Sequence, residues 1–232
     1  MKGTLPRIIL IEPQLGENIG AAARAMLNCG LTELTLVNPR DGWPNEAAIR
    51  NAAGAFDTIT PIIVKTYEEA LEGLQTIYAT TARRRDMTKP VLSPAQSMQK
   101  TNGKTGILFG RERTGLENHH VAPCHGIIEI PCNPNFSSYN LAQAVLLISY
   151  EWSTIEPAEP PEHIPAPHEQ THELYTRLES ALEERGFFRS PNLKPTMINN
   201  IKAFLARANM SHQETRTFHG MISALIGNKT KP

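Results

Sequence analysis

The chain has 232 residues, 40% of them hydrophobic, with 23 basic and 23 acidic side chains and a formal net charge of zero. That is room for one sizeable α/β core and a modest appendage, and a balanced charge gives no whole-molecule case for nucleic acid. No run of eighteen apolar residues occurs and the opening MKGTLPRIILIEPQ lacks a signal-peptide pattern, so the expected location is the cytoplasm, away from membranes.

Arg7 to Ile11 is an apolar run suited to a buried first strand, ending at Glu12-Pro13. Asn18 then precedes a helix on which Ile19, Ala22, Ala23, Met26 and Leu27 share one face, leaving Arg24 on another side; the small residues of GAAARA let it lie close to its sheet. Gly30 stops the helix and a second strand runs from Glu33 to Val37, a β-α-β unit of the parallel kind. The pattern predicts helices over 46–53 and 67–74, strands over 62–64 and 76–80, a helix near 95–100 and a strand over 105–109. Such alternation implies an α/β sandwich on a mostly parallel sheet.

Ile127 to Ile130 reads as a short buried strand, followed by the loop PCNPNFSSY and a helix from about Asn140. Ser137 and Ser138 there suit either helix capping or a polar ligand held at a helix N-terminus. Two other loops share this character, EPQLGENIGAAARAM near the N-terminus and ILFGRERTGLEN after the strand at 105–109. Arg83, Arg84, Arg85 and Lys89 fill a further loop, either simply solvated or facing phosphate, since three adjacent arginines repel one another unless an anion is near.

Several chemistries lack their residues. Gly103-Lys104-Thr105 resembles the tail of a phosphate-binding loop, but Met98 stands where its first glycine belongs, and no G-x-G-x-x-G occurs. Cys29, Cys124 and Cys132 form no C-x-x-C pair, and His119, His120, Cys124 and His125 match no standard ligand spacing, so neither disulfide nor metal is expected.

Proline punctuates an acidic stretch from residue 156, which predicts a linker over 156–167 between an α/β domain at 1–155 and a helical domain at 168–232. Three helices are predicted there, from about Glu169 to Arg185, from about Thr196, and from Ser211-x-x-Glu214 to about Ile226. Residues 156–184 hold eight glutamates against Arg177, whereas 186–232 hold seven Lys or Arg against Glu214, so a local basic surface is expected at the C-terminal end.

Taken together, NIGAAARAM (18–26), LFGRERTGL (108–116) and IPCNPNFSSYNLAQAV (130–145) resemble the SPOUT superfamily of RNA methyltransferases, specifically the TrmH family and its TrmJ-like tRNA ribose methyltransferases. The resemblance covers residues 7–152. It implies a parallel sheet whose C-terminal segment is threaded into a trefoil knot, and a homodimer paired through the knot region. It also implies S-adenosylmethionine as cofactor, contacting Thr80, Thr81, Ala82, Gly110, Ile130, Ser137, Ser138 and Tyr139, with Gly110 admitting the ligand close to backbone.

By the same resemblance Arg24 and Asn18 are the catalytic candidates, Asn18 serving equally well as a cap, and Arg83, Arg84, Arg85 and Arg111 are the candidates for RNA contact. Arg111 and Glu112 are expected to form an ion pair that shapes the second loop. The implied reaction is methyl transfer to a ribose 2'-hydroxyl, with the tRNA anticodon loop at cytidine or uridine 32 as the expected substrate. Ribosomal RNA methylation and a silent RNA-binding dimer are the alternatives.

Overall fold

The computed structural model describes residues 5–83, 87–101, 104–155 and 164–227. Seven parallel strands, β1 (Arg7–Ile11), β2 (Leu34–Val37), β3 (Ile62–Val64), β4 (Thr76–Thr80), β5 (Val91–Leu92), β6 (Thr105–Phe109) and β7 (Gly126–Ile128), form one sheet. Their order is β3-β2-β1-β6-β4-β7-β5. Strands buried on both faces send alternate residues to opposite layers. Ile8 and Leu10 pack under α1 (Gly16–Asn28), α2 (Glu46–Asn51), α4 (Pro94–Gln99) and α6 (Leu141–Thr154), whereas Ile9 and Ile11 pack against α3 (Tyr67–Leu71) and α5 (Asn118–Val121).

Helix ends depart from the sequence expectation for local reasons. Helix α3 stops at Leu71 rather than Leu74 because Gly73 adopts φ +71, and α2 stops at Asn51 because Ala53 and Gly54 turn left-handed at φ +47 and +85. Helix α1 starts at Gly16, so Asn18 lies inside it rather than before it. Gly20 brings it close to α2, where an added Cβ would sit 2.1 Å from the Ala48 carbonyl. The small residues therefore admit a neighbouring helix as well as the sheet.

Three further helices, α7 (His168–Glu184), α8 (Lys194–Arg207) and α9 (His212–Gly227), close around Leu174, Tyr175, Leu205, Met210 and Ile222. They dock on the α/β layer through the backbone bond from His168 N to Leu74 O at 2.7 Å and through Lys89. The Lys89 ammonium, only 8% exposed, donates to the carbonyls of Ala122 (2.6 Å), Cys124 and Ala203 (3.3 Å), so one cation holds the end of α5 to the middle of α8. Burial pulls its pKa down to about 8. No helix among the described residues is long and apolar enough to cross a membrane.

Candidate functional site

Because β4 sits between β6 and β7, the loops that leave the C-terminal ends of these three strands emerge side by side. Crevices at this end of a parallel sheet are where such folds hold ligands. Between the loops lies a cavity of about 320 Å³, floored by Phe109, Leu141 and Ala144 and rimmed by Arg83, Arg111, Glu112 and Arg113. All eight residues expected at the cofactor, Thr80, Thr81, Ala82, Gly110, Ile130, Ser137, Ser138 and Tyr139, line it.

The serines are not caps. Asn140 caps α6, accepting from Ala142 N at 2.9 Å, while Gln143 accepts from Asn140 N, which leaves Ser137 and Ser138 exposed at the cavity wall. Tyr139 Oη donates to Pro131 O at 2.8 Å and closes the loop on itself. Gly110 is also required by its own loop: an added Cβ would lie 2.2 Å from the backbone of Gly115 and of Leu116, where the second motif folds back. Thr80 Oγ1 is buried without a hydrogen-bond partner among the described residues.

Side chains stitch the three motifs together. The Glu112 carboxylate accepts from Gln14 N (2.8 Å), Leu15 N (3.1 Å) and Asn18 Nδ2 (2.9 Å), placing negative charge at the α1 N-terminus where the helix dipole favours it. Asn140 Nδ2 then donates to Asn18 Oδ1 at 2.9 Å. Asn18, 7% exposed, thus has both ends of its amide engaged and bridges the second and third motifs.

The expected Arg111–Glu112 ion pair does not form, because Glu112 is spent on α1. Arg111 instead grips Glu12 through two guanidinium nitrogens, Nε at 2.6 Å, and donates Nη1 to Glu117 Oε1 at 3.0 Å. Hydrogen bonding to Glu12 holds its pKa further above the ordinary guanidinium value. Glu12 sits at φ +46, a left-handed conformation that strains a non-glycine residue, at the end of β1 beside the cavity wall. Arg111 therefore still reaches the rim, but as a clamp between the β1 and β6 loops.

Arg24 is exposed on α1 and does not line the cavity; Arg84 and Arg85 lie outside the described residues. Arg113 went unremarked in the sequence although it stands in the second motif, two residues from Arg111. The histidine cluster holds no metal-ligand group among the described residues. His120 Nδ1 accepts from Glu117 N and His125 Nδ1 from Ile77 N, both at 3.1 Å, so each ring is neutral and structural. Burial lowers the pKa of each to about 4.

A family profile described as the SpoU rRNA Methylase family matches residues 6–150. Among curated relatives, the tRNA (cytidine/uridine-2'-O-)-methyltransferase TrmJ of Cronobacter sakazakii is 37% identical over 97% of both chains. Among solved structures, TrmJ from Z. mobilis ZM4 superposes with a TM-score of 0.89 at 46% identity, over 96% of this chain and all of that one. The SpoU methyltransferase AviRb from Streptomyces viridochromogenes, solved in complex with AdoMet, shares the fold alone, at TM-score 0.54 and 20% identity over 66% of this chain and 60% of that one. On the strength of the profile match, the near full-length identity and the motifs that wall its cavity, the chain belongs to the SpoU methylase family.

Proposed function

We propose that this protein is an S-adenosylmethionine-dependent methyltransferase acting on a ribose 2'-hydroxyl of tRNA, at cytidine or uridine 32 of the anticodon loop. The observation that carries the reading is the convergence of three motif loops on one cavity of about 320 Å³, a size in the range that holds small molecules. The lining suits the cofactor: hydroxyls of Thr81, Ser137 and Ser138 for its polar atoms and the apolar floor for its adenine. When bound, the cofactor supplies an electrophilic methyl group. Thr80 to Ala82, Gly110 and Ile130 with Ser137 to Tyr139 hold it in place.

The tRNA reading rests on relatives that match across the helical region as well as the sheet. A ribosomal substrate, which the family description names, is the other outcome of the test. The division into residues 1–155 and 168–232 is supported by the separate apolar cluster around Leu174 and Leu205, and the linker expected at 156–167 lies over 156–163 outside the described residues. The trefoil knot is supported by a strand order that puts β6 between β1 and β4, and β7 between β4 and β5.

A homodimer is part of the proposal. Helix α6 lines the cavity with Leu141 and Ala144 and leaves Leu146, Leu147 and Tyr150 exposed on its outer side, an apolar face that suits a second copy. Arg24, solvated on α1 of one protomer, would then face the cavity of the other. Its guanidinium, a fork of N–H donors with no acceptor, orients the 2'-oxygen and stabilises developing negative charge there, and the proton leaves to a phosphate or water.

The test is methylation mapping of tRNA and ribosomal RNA incubated with enzyme and cofactor, with Arg24→Ala beside the wild type. The expected result is 2'-O-methylation at position 32 of tRNA, falling by at least about 100-fold in the variant, with cofactor Kd within about twofold. Methylation confined to ribosomal RNA overturns the substrate, and retained turnover in the variant removes Arg24 from the mechanism.

A further inference from the structure

Phe136 is the most exposed large apolar side chain among the described residues, at 78%. An isolated exposed aromatic is unremarkable on a loose loop. This loop is not loose. Phe136 N donates to Asn133 O and Asn135 N to Asn133 Oδ1, both at 2.9 Å, which folds Asn133-Pro134-Asn135-Phe136 into a tight turn. Pro134 fixes φ within it, and the Tyr139 Oη bond to Pro131 O ties the loop's two ends together. The ring is presented from a preordered platform, so a partner that covers it does not have to order the backbone first.

Its surroundings say what kind of partner fits. The next three residues, Ser137 to Tyr139, form one wall of the cavity, and Arg83, Arg111 and Arg113 stand on the rim. A nucleotide delivering its ribose to that cavity brings a phosphate and a base with it. Arg83 and Arg113 suit the phosphate, Arg111 being held by Glu12 and Glu117; the base needs a flat apolar surface beside the opening. Unpaired bases of RNA loops are recognised by stacking on such aromatic rings.

We infer that Phe136 is a substrate-binding residue that stacks on the unpaired base of the target nucleotide, or of its immediate neighbour, while the ribose enters the cavity. This rests on the proposed RNA methyltransferase activity. It assigns the ring to substrate rather than to the cofactor or to a second protomer.

Phe136→Ala, Phe136→Leu and Phe136→Trp test it, each measured for RNA KM, kcat, cofactor Kd and oligomeric state. Losing the ring is expected to raise RNA KM by about tenfold, in line with the weight of one base stacked on an aromatic. Leucine, apolar but not flat, should behave nearly like alanine, and tryptophan should restore wild-type KM with its fluorescence quenched on addition of tRNA. Cofactor Kd and oligomeric state should not move.

An unchanged KM in Phe136→Ala overturns the inference, as does the absence of quenching in an active Phe136→Trp enzyme. A loss that tracks dissociation into monomers, or a weakened cofactor Kd, overturns it by giving the ring a different occupant. If the wild type methylates no RNA, it is the proposed function that falls, which separates the two failures.

Discussion

Glu112 is the residue on which the geometry of the site turns. Its carboxylate takes two backbone amides just before α1 and the amide of Asn18, and Asn18 in turn holds Asn140, 122 residues further along the chain, so one side chain fixes the spacing of three motifs. Glu112→Ala should lower stability by about 2–3 kcal/mol, the weight of hydrogen bonds to a charged acceptor, and weaken cofactor binding at least tenfold. Thermal unfolding and calorimetry check this, and an unchanged melting temperature together with an unchanged Kd would refute it. Glu112→Gln keeps a carbonyl oxygen and should fall between. The motif made Glu112 conspicuous, yet its partner was not readable: Arg111 is adjacent in sequence, but adjacent residues at a strand end point in different directions. Asn18 likewise stood out, while its bridging role depends on two residues about a hundred positions away.

At the scale of elements, α6 is apolar nearly all round. Leu141, Val145, Ile148 and Trp152 are buried, and Leu146, Leu147 and Tyr150, the last 58% exposed, lie on the opposite side. A helix of that character is normally covered on both faces. On the proposed dimer, Leu147→Glu with Tyr150→Glu should yield a monomer by light scattering, inactive in methyl transfer but still binding cofactor, because the cavity wall contributed by α6 is Leu141 and Ala144. A double variant that remains dimeric and active rules out this face. The long elements were plain from periodicity, as in β4 and β6, whose bounds agree with the expectation. The two-residue β5 and four-residue α5 were not, because neither spans a full period of its own pattern.

The whole molecule responds to pH through buried histidines. His120, His125 and His168 are each held near a pKa of about 4 by burial, below the ordinary 6.5. The unfolded chain takes up protons at 6.5 that the folded chain refuses, so their contribution is fully present above pH 6.5 and is lost as pH falls toward 4. Melting temperature followed by circular dichroism should decline steadily between pH 6.5 and 4, and His125→Asn should flatten part of that slope; a wild-type profile level across this window would contradict the assignment. The sequence by itself determined the α/β class and the order of nearly every element and, through its resemblance, the family and eight of the residues that line the cavity, because hydrophobic periodicity and contiguous motifs are local properties of the chain. Only the tertiary structure decided that Glu112 caps α1, that Arg111 clamps Glu12, that Gly110 serves its own loop and that Lys89 joins α5 to α8. Each of these depends on which distant strands become neighbours in the sheet, and that follows from the summed packing of the whole core rather than from any one segment.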